Sequence, residues 1–173
     1  MNTNPLRYPI GQWEKPSGFD KSMIAGQIQI ISQFPAKLKE KANSLTAEQL
    51  GKTYRSGGWT AIQVINHCAD SHINAFIRFK LALTEDKPTI KPYAEDKWAE
   101  LADAKVFPVE ASLQLLEALH VRWTVLLHSL NDAQWNSGFI HPEHGSELKL
   151  YQTVSLYAWH CEHHYAHLGL IAA

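Results

Sequence analysis

Tyr157-Ala-Trp-His-Cys-Glu-His-His-Tyr-Ala-His-Leu168 holds four of the ten histidines in a chain of 173 residues. His160, His163, His164 and His167 recur at i, i+3, i+4 and i+7, so at about 100° per residue they share one stripe of a helix. Leu156 and Tyr157 continue the stripe one turn earlier, and Leu168 and Ile171 one turn later. That register points the imidazoles towards a core rather than to water. Residues four apart sit one turn, roughly 6 Å, from each other. Two metal-binding pairs follow on paper, His160 with His164 and His163 with His167, and spacing alone does not choose between them. Stacked or hydrogen-bonded histidines at the bundle surface are the structural alternative.

Working outward, this helix spans about Tyr151 to Ala172, and three more long helices precede it. In the first, Asp20 is the N-cap and Met23, Ile24, Ile28, Ile31, Phe34 and Leu38 keep a helical period, with Pro35 expected to kink or divide the element. Thr46-Ala-Glu-Gln49 has the form of a capping box opening a short helix, and Thr60-Ala-Ile-Gln63 repeats it after the Gly57-Gly58-Trp59 break. The second long helix runs from there to about Leu83, with Ile62, Ile65, Ala69, Ile73, Phe76, Phe79 and Leu83 as its apolar face. Thr60, Asp70, Ser71, Asn74 and Arg78 cluster around His67 on its other side. This polar stripe faces water or walls a pocket.

Glu85 to Asp96 reads as loop, with a helical turn or two around Lys97 to Leu101. The third long helix runs from about Pro108, at N1, to Leu130, with Leu113, Leu116, Leu119, Trp123, Leu126, Leu127 and Leu130 in period. A short helix at Asp132 to Trp135, a loop from Phe139 to Gly145 and a small hairpin strand at Glu147 to Leu150 complete the pattern. The fold class implied is all-α, an antiparallel four-helix bundle whose order of packing the loop-rich joint leaves open.

The length indicates a single domain, 1–173, with residues 1–19 as an extended segment laid over it. Sixteen basic and seventeen acidic residues leave a formal charge of −1 and no basic run, which argues against nucleic acid. Neither a signal-type apolar segment nor a membrane-length run is present, so a soluble cytoplasmic protein with a small-molecule substrate and no membrane partner is expected, a homodimer being an open assembly. Cys68 and Cys161 form no Cys-x-x-Cys motif and are expected to be free, inert thiols that approach one another if their helices meet. His120 and His128 on the third helix and His141 and His144 in the loop read as ordinary polar positions, with the loop able to border a site.

One histidine from the second long helix and two from the fourth would make three neutral imidazoles with a coordination position left open, as in a catalytic metal site. Imidazole suits zinc or nickel about equally. Gly57-Gly-Trp-Thr-Ala-Ile-Gln-Val-Ile-Asn-His-Cys-Ala-Asp-Ser-His72, Arg78-Phe-Lys-Leu, Pro88-x-Ile-x-Pro-Tyr93, Tyr8-Pro-Ile-Gly11 and the histidine stretch itself resemble the YfiT group of the DinB-like superfamily over nearly the whole chain. The resemblance implies a four-helix bundle described as a metal-dependent hydrolase, in a group that includes thiol S-transferases using bacillithiol and has mycothiol-dependent relations. It implies His67, His160 and His164 as ligands of one divalent ion, and leaves His163 and His167 to pack or to line the pocket. Asn66 stands where related sequences carry a histidine.

Two reactions fit such an ion. It promotes ionisation of a low-molecular-weight thiol that attacks an electrophile, the reading preferred on family grounds, or it lowers the pKa of a water for hydrolysis. A non-catalytic metal-binding stress protein is the third reading. Asp70, one turn from His67, is a candidate to orient its ring or act as a base, against a solvated carboxylate. Arg78 is a candidate to hold an anionic group of substrate or thiol, against a surface ion pair.

Overall fold

The computed structural model describes residues 4–105, 108–143 and 145–172; the expectation for His144 lies outside them. Four long helices carry the fold: α1 (Lys21–Ser44), α3 (Ala61–Thr84), α5 (Glu110–Ser129) and α7 (Leu150–Ala172). Short elements join them: α2 (Ala47–Leu50), α4 (Glu95–Trp98), a 3-10 turn at Asp103–Lys105, α6 (Asp132–Trp135) and a hairpin of β1 (Gly138–His141) with β2 (Ser146–Lys149). No helix among the described residues is long and apolar enough to cross a membrane.

Capping chemistry sets most boundaries. Asp20 accepts from the Ser22 amide, and Thr46 and Thr60 each form the reciprocal box with Gln49 and Gln63. Three boundaries differ from the pattern in the sequence. Pro108 precedes the Val109 cap of α5 instead of occupying its first turn. Helix α4 starts at Glu95, two residues before the expected turn, and residues 138–141 pair as a strand rather than a loop. Pairing runs from Gly138 opposite Lys149 to His141 opposite Ser146. A side chain at Gly138 would bring its Cβ within 2.6 Å of the Leu148 carbonyl oxygen, so only glycine lets the two backbones approach.

Pro35 does not divide α1. Proline removes the amide that would bond the carbonyl four residues earlier. That carbonyl, on Ile31, accepts instead from His120 Nδ1 at 2.6 Å, so the freed acceptor is satisfied from a neighbouring helix.

In cross-section α1 packs on α5 and α7, and α3 packs on the same two, placing α1 diagonal to α3 and α5 diagonal to α7. Contacts along each pair give the directions. Lys39 meets Glu110, Ile31 meets His120 and Lys21 meets Asp132, so α1 and α5 are antiparallel. Ser71 with Tyr157 and Trp59 with His164 make α3 and α7 antiparallel. Asn66 with Ser112, His72 with His120 and Phe79 with Trp123 run α3 and α5 the same way, as do Phe19 with Tyr151 and Lys37 with Glu162 for α1 and α7. A parallel step from α3 to α5 requires the chain to travel back the length of the bundle between Thr84 and Glu110, a path described over residues 85–105 and 108–109. This crossing segment is tied to the hairpin through Ile140, whose amide donates to the Pro88 carbonyl and whose carbonyl accepts from Ile90.

The core is built from Ile31, Phe34 and Leu38 of α1, Ile65 and Phe79 of α3, Leu116 and Trp123 of α5, and Leu150, Val154 and Leu168 of α7. Residues 11–16 run along α7: Trp13 Nε1 donates to Ser155 Oγ, Gln152 donates to the Pro16 carbonyl and Trp159 Nε1 donates to the Gly11 carbonyl.

Candidate metal centre

Antiparallel packing of α3 on α7 brings His67, in the second turn of α3, against the middle of α7. His67 Nε2 faces His160 Nε2 at 3.1 Å, and each of His67, His160 and His164 offers a nitrogen within 4.8 Å of the others. Two ligands about 2.0–2.1 Å from a tetrahedral ion stand roughly 3.3 Å apart, so the His67–His160 separation is that of a ligand pair. Trp59 packs on His67, ring centroids 4.7 Å apart, and lies parallel to His164 at 6.5 Å. The turn that delivers Trp59 needs its glycines: Gly57 has φ +65°, and a Cβ on Gly58 would come within 2.8 Å of Arg55.

All three imidazoles are neutral at pH 7. Burial, and secondarily the nearby His167, lowers His67 to about 4. Burial followed by neighbouring imidazoles holds His160 and His164 well below the ordinary histidine value. A divalent ion needs the unprotonated ring, and the donor set therefore fits one. Imidazole-only donors suit zinc, nickel and their neighbours.

A second group, His163, His164 and His167, also brings its nitrogens within 4.8 Å, and it shares His164 with the first. It lies wholly on one helix. His167 Nε2 donates to the Arg7 carbonyl at 3.2 Å and its ring stacks on Tyr54 at 3.9 Å. His163 stacks on Trp159 at 4.3 Å. These partners mark packing and lining positions, and the first group, which spans two helices, is the better-built centre.

The rings open onto a cavity of about 740 Å³ whose lining includes Arg7, Lys15, Arg55 and Arg78 beside Tyr8, Trp59 and Trp159. His141 of β1 borders it as well. The polar stripe of α3 divides: His67, Ser71 and Arg78 line the cavity, whereas Asp70 and Asn74 do not. Asp70 lies half-buried with its pKa raised, first by burial and then by the charge of Asp103. The structure thus brings Arg78 to the site and leaves Asp70 outside it. Neither histidine group includes a carboxylate among the described residues.

Two histidines without an assigned role in the sequence are central to the geometry. His72 is fully buried and His120 is 2% exposed, against the expectation of an ordinary polar position. His72 Nδ1 meets His120 Nε2 at 2.7 Å, and His72 Nε2 meets His160 Nδ1 at 3.0 Å. The sequence did carry a signal for both. His72 falls in the spacing 65, 69, 72, 76, 79 of the α3 core, and His120 in the spacing 113, 116, 120, 123, 127 of the α5 core. His128 is exposed, as expected. Cys68 and Cys161 are free and fully buried. Burial pushes both thiols up, and the charge of Cys68 adds to the shift of Cys161, which disfavours the nucleophilic thiolate at both.

Comparison with known proteins finds relatives over nearly the whole chain. A family model described as the DinB superfamily matches residues 30–168. The chain is 45% identical to Bacillus subtilis YfiT over 168 residues, covering 97% of this chain and 94% of that one. It is 52% identical over 165 residues to a Bacillus cereus protein with the same functional description, covering 95% and 94%. The YfiT structure, described as a probable metal-dependent hydrolase with an unusual four-helix bundle topology, superposes with a TM-score of 0.94 over 97% of this chain and 96% of that one. A mycothiol-dependent maleylpyruvate isomerase shares the fold at 17% identity, with a TM-score of 0.66 over 84% of this chain and 60% of the other.

Proposed function

The chain belongs to the DinB superfamily, and from that premise and the geometry of the histidine centre we propose a metal-dependent enzyme that transfers a low-molecular-weight thiol of the bacillithiol type to an electrophilic small molecule. The observation that carries the metal site is the convergence of three neutral imidazoles, His67, His160 and His164, at the floor of a cavity. A divalent ion bound there supplies Lewis acidity and favours the ionised form of a nucleophile beside it. His67, His160 and His164 hold it, and Trp59 covers two of their rings.

The cavity favours thiol transfer over hydrolysis. Its volume suits a molecule far larger than water, and four cationic side chains line it. Arg78 is placed to receive an anionic group of the thiol or its acceptor, in keeping with the fork geometry of guanidinium. The lining carboxylates, Glu95 and Asp96, also border the adjoining cavity around Tyr93. Hydrolysis is the second reading, favoured by the description of YfiT as a probable metal-dependent hydrolase.

The test is turnover of a thiol-reactive electrophile with bacillithiol, glutathione and cysteine in turn, beside a panel of esters and amides, each with and without chelator. Thiol-dependent, chelator-sensitive conjugation is the expected result. Chelator-sensitive hydrolysis without thiol dependence would replace it with the second reading.

A further inference from the structure

Every hydrogen bond behind His160 has a direction, because the series ends on an atom that can only accept. The Ile31 carbonyl, freed by Pro35, stands 2.6 Å from His120 Nδ1, so the proton on that bond belongs to His120. A neutral imidazole carries one N–H, which makes His120 Nε2 an acceptor. His72 Nδ1, 2.7 Å away, must then donate to it, and His72 Nε2 in turn becomes an acceptor. His160 Nδ1, at 3.0 Å, must donate to His72. One nitrogen of His160 is left bare, and it is Nε2, the atom facing His67.

From this we infer that His72 and His120 are positioning residues: a relay anchored on the Ile31 carbonyl fixes His160 in the Nδ1–H tautomer and presents its Nε2 lone pair to the metal before any metal arrives. Ligating histidines usually give their second N–H to a carboxylate, carbonyl or water, and the partner fixes the tautomer and ring orientation. Here two neutral rings stand between the ligand and the carbonyl, so the support crosses from α7 through α3 and α5 to α1. Phe34, 5.3 Å from His72 and 5.9 Å from His120, and Trp123, 6.0 and 5.7 Å from the same rings, pack around the relay, in which His72 is fully buried and His120 nearly so. Pro35 contributes by removing the amide that would otherwise compete for Ile31.

The inference rests on the assignment of His160 as a ligand, and its test separates the two. In the ¹⁵N-labelled full chain, freed of metal by chelator at pH 7, long-range ¹H–¹⁵N spectra report each imidazole tautomer. His72, His120 and His160 are expected to be Nδ1–H in the absence of metal. His160 protonated on Nε2, or exchanging between tautomers, would overturn the relay even if zinc still binds at His67, His160 and His164. Zinc competition then measures its effect. His72→Phe is expected to weaken binding about 10–100-fold and to release the His160 tautomer. His72→Gln, whose amide oxygen can reach the position of Nε2 and accept from His160, is expected to recover most of the affinity. Wild-type affinity in a folded His72→Phe variant would overturn the role, and if that variant does not fold, the wild-type spectra decide the question alone.

Discussion

The two α7 histidines of the proposed centre, His160 and His164, are supported by different means. Behind His160 lies the buried core, with hydrogen bonds of 2.6, 2.7 and 3.0 Å through His120 and His72 to a helix carbonyl. Behind His164 lies His167, whose Nδ1 is 3.4 Å from His164 Nδ1 and whose Nε2 donates at 3.2 Å to Arg7 in the N-terminal segment. The directional logic is the same, since Arg7 also offers only an acceptor and the series leaves His164 Nε2 bare. The distances and anchors differ. One relay has three short bonds and is held by four long helices; the other has two longer bonds and ends on an exposed residue outside the bundle. The contrast teaches that the proposed centre would have a preset side and an adjustable side, the latter beside the cavity that Arg7 lines.

The sharpest way to break this picture is at the ligand shared by neither relay. His67→Ala removes the only α3 contribution, and bound zinc or nickel is expected to fall from one equivalent to background on metal analysis; full retention would favour the single-helix group. Next comes the preset side, where His72→Phe is expected to cost about 10–100-fold in affinity. On the adjustable side, His167→Phe or removal of residues 1–12 is expected to cost less than about tenfold, measured by the same competition. An effect equal to that of His72→Phe would erase the distinction between the two sides. Pro35→Ala is expected to have the smallest effect on metal. It restores an amide to α1 and should raise thermal stability, by no more than the roughly 3 kcal/mol that an interior proline costs, while slightly weakening the His120 bond.

Acid tests the buried side through stability. Burial lowers His120 to about 4, with its bond to Ile31 opposing the shift, and lowers His67 to about 4. The unfolded rings take up protons near 6.5, so between pH 6.5 and 4 the unfolded state binds more protons and is favoured. Stability of the metal-free protein is therefore fully present above 6.5 and is lost as pH falls towards 4. Each such group contributes about 1.4 kcal/mol per pH unit in that window, which urea unfolding at pH 7, 6 and 5 would measure. A flat profile would mean that the rings are not buried neutral.

Much of this was legible in the sequence. Four long helices, two capping boxes and the inward face of the histidine stripe all rest on local periodicity and capping, which short stretches of chain determine. The expectation of an antiparallel bundle did not say which neighbours pair, because the parallel pairing of α3 with α5 depends on how the segment that follows Thr84 crosses the bundle. Spacing also left two histidine pairs equal on α7. Family resemblance chose one, and the spatial reason is the arrival of His67 opposite His160. Asp70 could not be separated from Arg78 on the polar stripe, since only packing shows that one meets Asp103 and the other the cavity. Pro35 read as a break in its helix and His120 as an ordinary polar position; the Ile31 carbonyl that one frees and the other bonds gives both a purpose.

The most direct measurement is anomalous diffraction at the zinc edge from crystals grown with zinc. A single peak enclosed by His67 Nε2, His160 Nε2 and His164 is the result expected of a centre bridging α3 and α7. A peak among His163, His164 and His167, with His67 and His160 left to bond one another, would contradict it.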